Sequence, residues 1–194
     1  MASSEDRHEA AREVIRQMGF DEHWDAVVDP DMPPALLELT MATLRAYQRA
    51  DLDWLIAAGH PDLVISQPPE FPDGRDYFGN EAVVDTLLDW PRQWEHFQIE
   101  PRRIFAADDD HTVIVALHKG RPHSIDIEVE AEIVFLLRWS DGLVTHWDMF
   151  LSVDEALSRA AERRAHHDDD RAAEGDGRER AQEAGAEEAR PDHR

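Results

Sequence analysis

The side chains able to do chemistry in this chain of 194 residues are histidines, carboxylates and a few hydroxyls. His146 and Asp148 stand two apart, which on a β-strand places both on one face, as an acid/base pair requires. The same spacing describes an exposed strand with a charged surface or a dimer contact, the plainer reading. His118 and His123, with Asp126 and Glu128 close behind, would reach a metal ion from the two arms of a hairpin. Nothing in their spacing imposes tetrahedral geometry, so polar turn residues account for them more simply. The run His166-His167-Asp168-Asp169-Asp170 offers loose chelation in a tail. Thr43 and Tyr47, one helical turn apart, offer hydroxyls to a pocket or satisfy them in a core. Arg102 and Arg103 are adjacent, so on a strand only one of them points inward. Cysteine is absent, which removes disulfides, thiolate nucleophiles and cysteine metal sites. No glycine-rich phosphate loop is present, and neither a cofactor nor a metal is implied.

Composition narrows the partners. Apolar residues make up 42% of the chain, and six Trp and seven Phe supply large core side chains. A formal net charge of -23 repels phosphate backbones and anionic lipid surfaces, so neither nucleic acid nor a membrane is an expected partner. The polar start is no signal peptide, and no run approaches the roughly 18 apolar residues of a membrane span, so a soluble cytoplasmic protein is expected. Lys119 is the sole lysine, consistent with a high-GC genome or a halophilic cytoplasm.

The elements that must position these groups follow from periodicity. Residues 1–32 read as a polar leader with one short helix over 5–18, ended by Gly19, and three prolines in 29–34 mark a linker. Pro33 and Pro34 open a helix through Arg49, with Leu36, Leu37, Met41, Leu44 and Tyr47 at helical spacing. A short helix over 52–58 stops at Gly59, and a strand over 62–67 is closed by two prolines. A third helix is expected over 81–97, kinked or divided at Pro91. The period then changes to two. Four strands follow over 99–106, 112–119, 125–139 and 143–151, with turns at 107–111, 120–124 and 140–142. A helix over 154–164, with Ser152 as cap, closes the domain, and the remainder to 194 is an acidic tail too polar to order. Helices, a strand, a helix and then antiparallel strands make an α+β layout, with helices on one face of a curved sheet.

On those elements, Asp51-Leu52-Asp53-Trp54-Leu55, His60-Pro61-Asp62-Leu63-Val64-Ile65 and Phe78-Gly79-Asn80-Glu81-Ala82-Val83 resemble the first half of SnoaL-like domains of the NTF2-like superfamily. Ser140-Asp141-Gly142-Leu143-Val144-Thr145-His146-Trp147, followed by Asp154-Glu155-Ala156-Leu157, resembles the second half. The likeness covers residues 33–160 and rests on the order and spacing of the pieces. It implies a cone, a curved mixed or antiparallel sheet wrapped around three helices, with an apolar pocket and a homodimer. Ketosteroid isomerases share this cone. The resemblance places their oxyanion tyrosine at Thr43, their proton-moving aspartate at Gln67 and their second aspartate at Val134 or Phe135, so none is matched. Polyketide cyclases carry His-Trp on the last strand, present as His146-Trp147, but their aspartate falls near Leu151.

The long strand gives the pocket its faces. Ile125, Ile127, Val129, Ala131, Ile133, Phe135 and Leu137 alternate with Asp126, Glu128, Glu130 and Glu132. The apolar set must be the buried one, because four unpaired carboxylates in a row cost several kcal/mol each to desolvate. A three-residue turn pairs Trp139 with Leu143 and Phe135 with Trp147. Thr145, Trp147, Met149 and Leu151 then face inward, while His146, Asp148 and Phe150 lie on the acidic outer face. Trp90 and Trp94 serve equally as ligand wall or plain core. The expected pocket comprises Thr43, Tyr47, Ile65, Gln67, Trp90, Trp94, Phe135, Trp147 and Met149. It suits a small hydrophobic molecule with one or two oxygens. An isomerase, cyclase or dehydratase on a polyketide- or terpenoid-like substrate is the alternative, with His146 and Asp148 as its weak candidates. A dimeric interaction module is a third.

Overall fold

The computed structural model describes residues 3–20, 23–71, 74–89, 94–123 and 126–166. The chain divides into one compact unit ending at Leu157 and a second unit beginning at Ser158, whose described residues, 158–166, are helical. The tail from 167 and Trp90 lie outside the described residues.

Helix α1 (Ser4–Gln17) starts on a reciprocal capping box. Asp6 N–H donates to Ser3 Oγ and Ser3 N–H to the Asp6 carboxylate, which satisfies two otherwise orphaned donors. The helix buries Ala11, Val14 and Ile15. Strand β1 (Gly19–Phe20) and a 3-10 turn (Trp24–Val27) follow. Helix α2 (Pro34–Gln48) has proline in its first turn, where the missing N–H costs nothing. Helix α3 (Leu52–Ala58) is capped by Asp51, which accepts from Trp54 N–H. Strands β2 (Gly59–Ser66) and β3 (Asp76–Phe78) lead to α4 (Ala82–Asp89). The helix expected over 81–97 is described over Ala82–Asp89, and its last expected residues, 94–97, belong instead to a strand.

Strands β4 (Trp94–Ala106), β5 (His111–Pro122), β6 (Val129–Ser140) and β7 (Leu143–Phe150) complete one mixed sheet in the order β1-β4-β5-β6-β7-β2-β3. β1 runs parallel to β4 and β2 parallel to β7, while the other pairs are antiparallel. A further helix covers 153–166, and Ser152 Oγ accepts from Glu155 N–H at its start. Among the described residues, no helix is long and apolar enough to cross a membrane.

Three details of the β6–β7 hairpin depart from expectation. Ser140 pairs with Leu143, so the turn has two residues, Asp141 and Gly142, with φ of 52° and 79°. Both positive values suit the twist of a tight hairpin, and they are what aspartate and glycine tolerate. That turn alone would bring His146 to the inner face. A bulge intervenes: Trp139 pairs with Val144 but Arg138 with His146, leaving Thr145 as the extra residue. Parity is restored, and Trp147 and Met149 face the same side as Leu137 and Phe135 after all. Thr145, expected inside, is instead the bulge, and Leu151, expected inside, is 44% exposed beyond the strand's end. Ile127 is also exposed, because β6 begins its pairing only at Val129.

Candidate functional site

The inner face of the sheet is a set of rows. Ile65, Trp147, Leu137 and Thr112 are Cα partners in succession across β2, β7, β6 and β5. Met149, Phe135 and Ile114 form the next row, and His118 stands between Ile99 and Ala131 further along. Helices α2 and α4 face these rows. Between them lies a cavity of about 70 Å³. Thr43, Leu44 and Tyr47 of α2, Val83, Thr86 and Leu87 of α4, the strand residues Ile65, Ile99, Ile114, His118, Phe135, Trp147 and Met149, and Met18 and Trp24 from the N-terminal segment line it.

Six of the nine residues expected at the pocket thus stand in its wall: Thr43, Tyr47, Ile65, Phe135, Trp147 and Met149. Gln67 is 7% exposed but is not a lining residue; its Oε1 is buried with no hydrogen-bond partner among the described residues. Trp94 is half-buried at the start of β4 and packs on Phe97 (5.4 Å between centroids), outside the wall. β4 starts at Trp94, which places it on a strand rather than on the expected helix.

His146 and Asp148 stand on the face opposite Trp147 and do not line the cavity. His146 Nδ1 is 3.3 Å from Thr145 Oγ1. Asp148 was expected on an exposed acidic face, yet it is 4% exposed. Its Cα partner Leu136, and Val113 and Val134 on the same outer face, are fully buried as well. The middle of the sheet is buried on both faces, while the acidic row Asp126, Glu128, Glu130 and Glu132 is exposed, as expected, before and along the first part of β6.

His118 is the group that sequence reasoning misplaced. It belongs to the interior of β5, not to a turn, and is 4% exposed. Its phase was visible: it follows Ile114 and Ala116 at intervals of two, so it must share their face. Phe97 meets its ring edge-on at 4.8 Å and Phe135 lies 5.5 Å away. Burial among such groups penalises the imidazolium and pushes the pKa down to about 3, so the ring is neutral at neutral pH. His123, its supposed metal partner, is exposed in the turn, so the two histidines are not brought together.

The remaining polar groups are constrained too. Thr43 Oγ1 donates to Leu39 O (3.0 Å) and Thr86 Oγ1 to Ala82 O (2.8 Å). Their protons are committed to helix carbonyls, so toward the cavity they can only accept. Burial raises the Tyr47 phenol above its ordinary pKa, so it stays protonated. Trp147 packs edge-on against Tyr47 (5.6 Å) and Phe135 (6.0 Å), and its Nε1–H is buried with no hydrogen-bond partner among the described residues. Among the described residues, no Lys, Arg, Asp or Glu lines the cavity.

Elsewhere, Asp108, Asp110 and His111 bring their ligand atoms within 4.8 Å of one another at the β4–β5 turn. His111 is fully buried, with Nδ1 2.8 Å from Asp108 and 2.7 Å from Asp110, and Arg138 Nε lies 3.5 Å from Asp110. The set pins the turn to β6 through charge-assisted bonds.

No family model and no curated protein matches the chain. Solved structures do. An NTF2-like protein of unknown function from Burkholderia pseudomallei superposes with a TM-score of 0.54 at 15% identity, covering 65% of this chain and 97% of that one. An NTF2-like protein from Burkholderia xenovorans gives 0.53 at 22% identity, covering 65% and 95%. TerC, co-crystallised with polyporic acid, gives 0.52 at 15% identity, covering 64% and 98%. The chain has the fold of the NTF2-like superfamily.

Proposed function

We propose that the cone binds a small, uncharged, largely hydrocarbon molecule carrying one or two oxygens. The observation that supports this best is the wall itself, apolar and aromatic almost throughout, without a charged side chain among the described residues, and with a histidine held neutral. A ligand carboxylate or ammonium would find no counter-charge there and would lose its hydration. A carbonyl or hydroxyl would find donors and acceptors at Trp147, Tyr47 and His118. TerC, of the same fold, was co-crystallised with polyporic acid.

His118 also supports a second reading, an isomerase, cyclase or dehydratase on a polyketide- or terpenoid-like substrate. The burial that keeps this imidazole neutral also makes it a weak base, so this reading requires a substrate whose developing negative charge beside His118 raises its proton affinity. The homodimer implied by the family resemblance belongs to the proposal as well, and light scattering against the 22.2 kDa chain mass tests it.

The deciding experiment titrates the full chain with the neutral dye Nile red, then displaces the dye with uncharged ring ketones and with their carboxylate analogues. The ketones should compete and the carboxylates should not. Equal competition by both would sink the reading. His118→Gln keeps a donor and an acceptor in the wall but removes the imidazole base, so it separates binding from turnover. Loss of turnover on a polyketide-like substrate with affinity retained would establish the enzyme.

A further inference from the structure

The cavity of about 70 Å³ is far smaller than the several hundred Å³ usual for small-molecule sites. A ring compound fits only if part of the wall moves. The strand wall is not that part: β4 through β7 are paired along their lengths on neighbours within one sheet. Trp24 is not either, since the chain just beyond it is tied to β4 by the Asp29 N–H to Ile104 O bond of 2.7 Å and by the Val28–Ile104 bridge. Met18 differs. It is half-buried, and it sits between α1 and a strand of only two residues. Helix α1 in turn is held to α4 and its approach by the Arg7–Asp85 and His8–Glu81 pairs, and to α3 by Arg12 Nη2–Asp53 Oδ1 at 2.8 Å. Each pair keeps at least one partner well exposed to solvent, which screens it and makes it a weaker attachment than a buried pair.

We infer that α1 is the gate of the cavity and that Met18 is the part of the gate a ligand touches. The inference rests on the binding reading above. Three apolar residues of α1, Ala11, Val14 and Ile15, hold the gate shut by burial, and the ion pairs set its register on α3 and α4. Opening carries Met18 away from the wall and enlarges the space beside Tyr47 and Trp147. Closing over a ligand replaces part of the buried contact that opening gave up.

The native chain lacks cysteine, so a specific cross-link is simple to introduce. Arg7→Cys with Asp85→Cys, bridged by a short bismaleimide, locks α1 onto α4. Stopped-flow association of Nile red should slow by about tenfold or more in the bridged protein and return in the unbridged double variant. Met18→Ala should speed association by roughly threefold or more, because less side chain has to leave the wall. An unchanged rate in either the bridged protein or Met18→Ala overturns the gate while leaving the cavity reading intact. Absence of dye binding in every form, wild type included, overturns the cavity reading and the gate with it.

Discussion

His118 is a polar residue at an apolar position of an otherwise regular strand, and its cost has a definite pH signature. Its folded pKa lies below the ordinary 6.5, so between those values the unfolded chain binds more protons than the folded one. Stability is therefore complete above pH 6.5 and falls as pH drops, by about 1.4 kcal/mol per unit from this group until the folded pKa is reached. Urea melts of wild type and His118→Gln at pH 7 and pH 5 should show a shallower acid loss in the variant. Parallel losses would mean that His118 is solvated. Trp147 is the other residue to probe. Its contacts with Tyr47 and Phe135 and its place in the cavity wall predict a loss of about 3 kcal/mol for Trp147→Ala. A loss under 1 kcal/mol would mean that the ring does not face inward.

At the scale of elements, the β6–β7 hairpin decides which chemistry the cone contains. A two-residue turn without the Thr145 bulge would place His146 inside and Trp147 outside. The bulge is why the histidine of the cyclase-like His-Trp pair stands outside the cavity. Gly142 has φ of 79°, and nothing lies within 4 Å of a Cβ built there, so the constraint is conformational and not steric. Gly142→Val should cost about 1–2 kcal/mol, while Gly142→Asn, which tolerates that region, should cost well under 1 kcal/mol. Chemical denaturation of the two variants separates them, and equal costs would argue against the turn. Fusion of this two-residue turn with a bulge was not legible beforehand, because Asp-Gly suits hairpins of either length.

For the molecule as a whole, the two ends of the chain are unequal. Deleting residues 167–194 should shift Tm by no more than about 2 °C, since that composition offers almost no apolar area to bury. Deleting 1–28 should be severe: Ala11, Ile15 and Trp24 are each at most 2% exposed, and removing such contacts costs about 2–5 kcal/mol per large side chain. Differential scanning calorimetry of the two truncations tests both statements, and a large drop for the first would show a docked tail.

The α+β class, the element order from α2 onward except for β3, and the inward set of Phe135, Trp147 and Met149 were legible in the sequence. Each follows from a local period: apolar residues at helical spacing, or alternating with charges that resist desolvation. Tertiary structure decided what periodicity does not carry. Strands β1 and β3, of two and three residues, are too short to show a period and exist only through pairing with a neighbour. The burial of Asp148 depends on what covers the sheet's second face. The roles of Met18 and Trp24 arise because the N-terminal segment packs against residues far along the chain. His118 lies between the two cases. Its phase was written in β5, but a histidine reads as polar until the surrounding Phe97 and Phe135 make it a buried, neutral member of the wall.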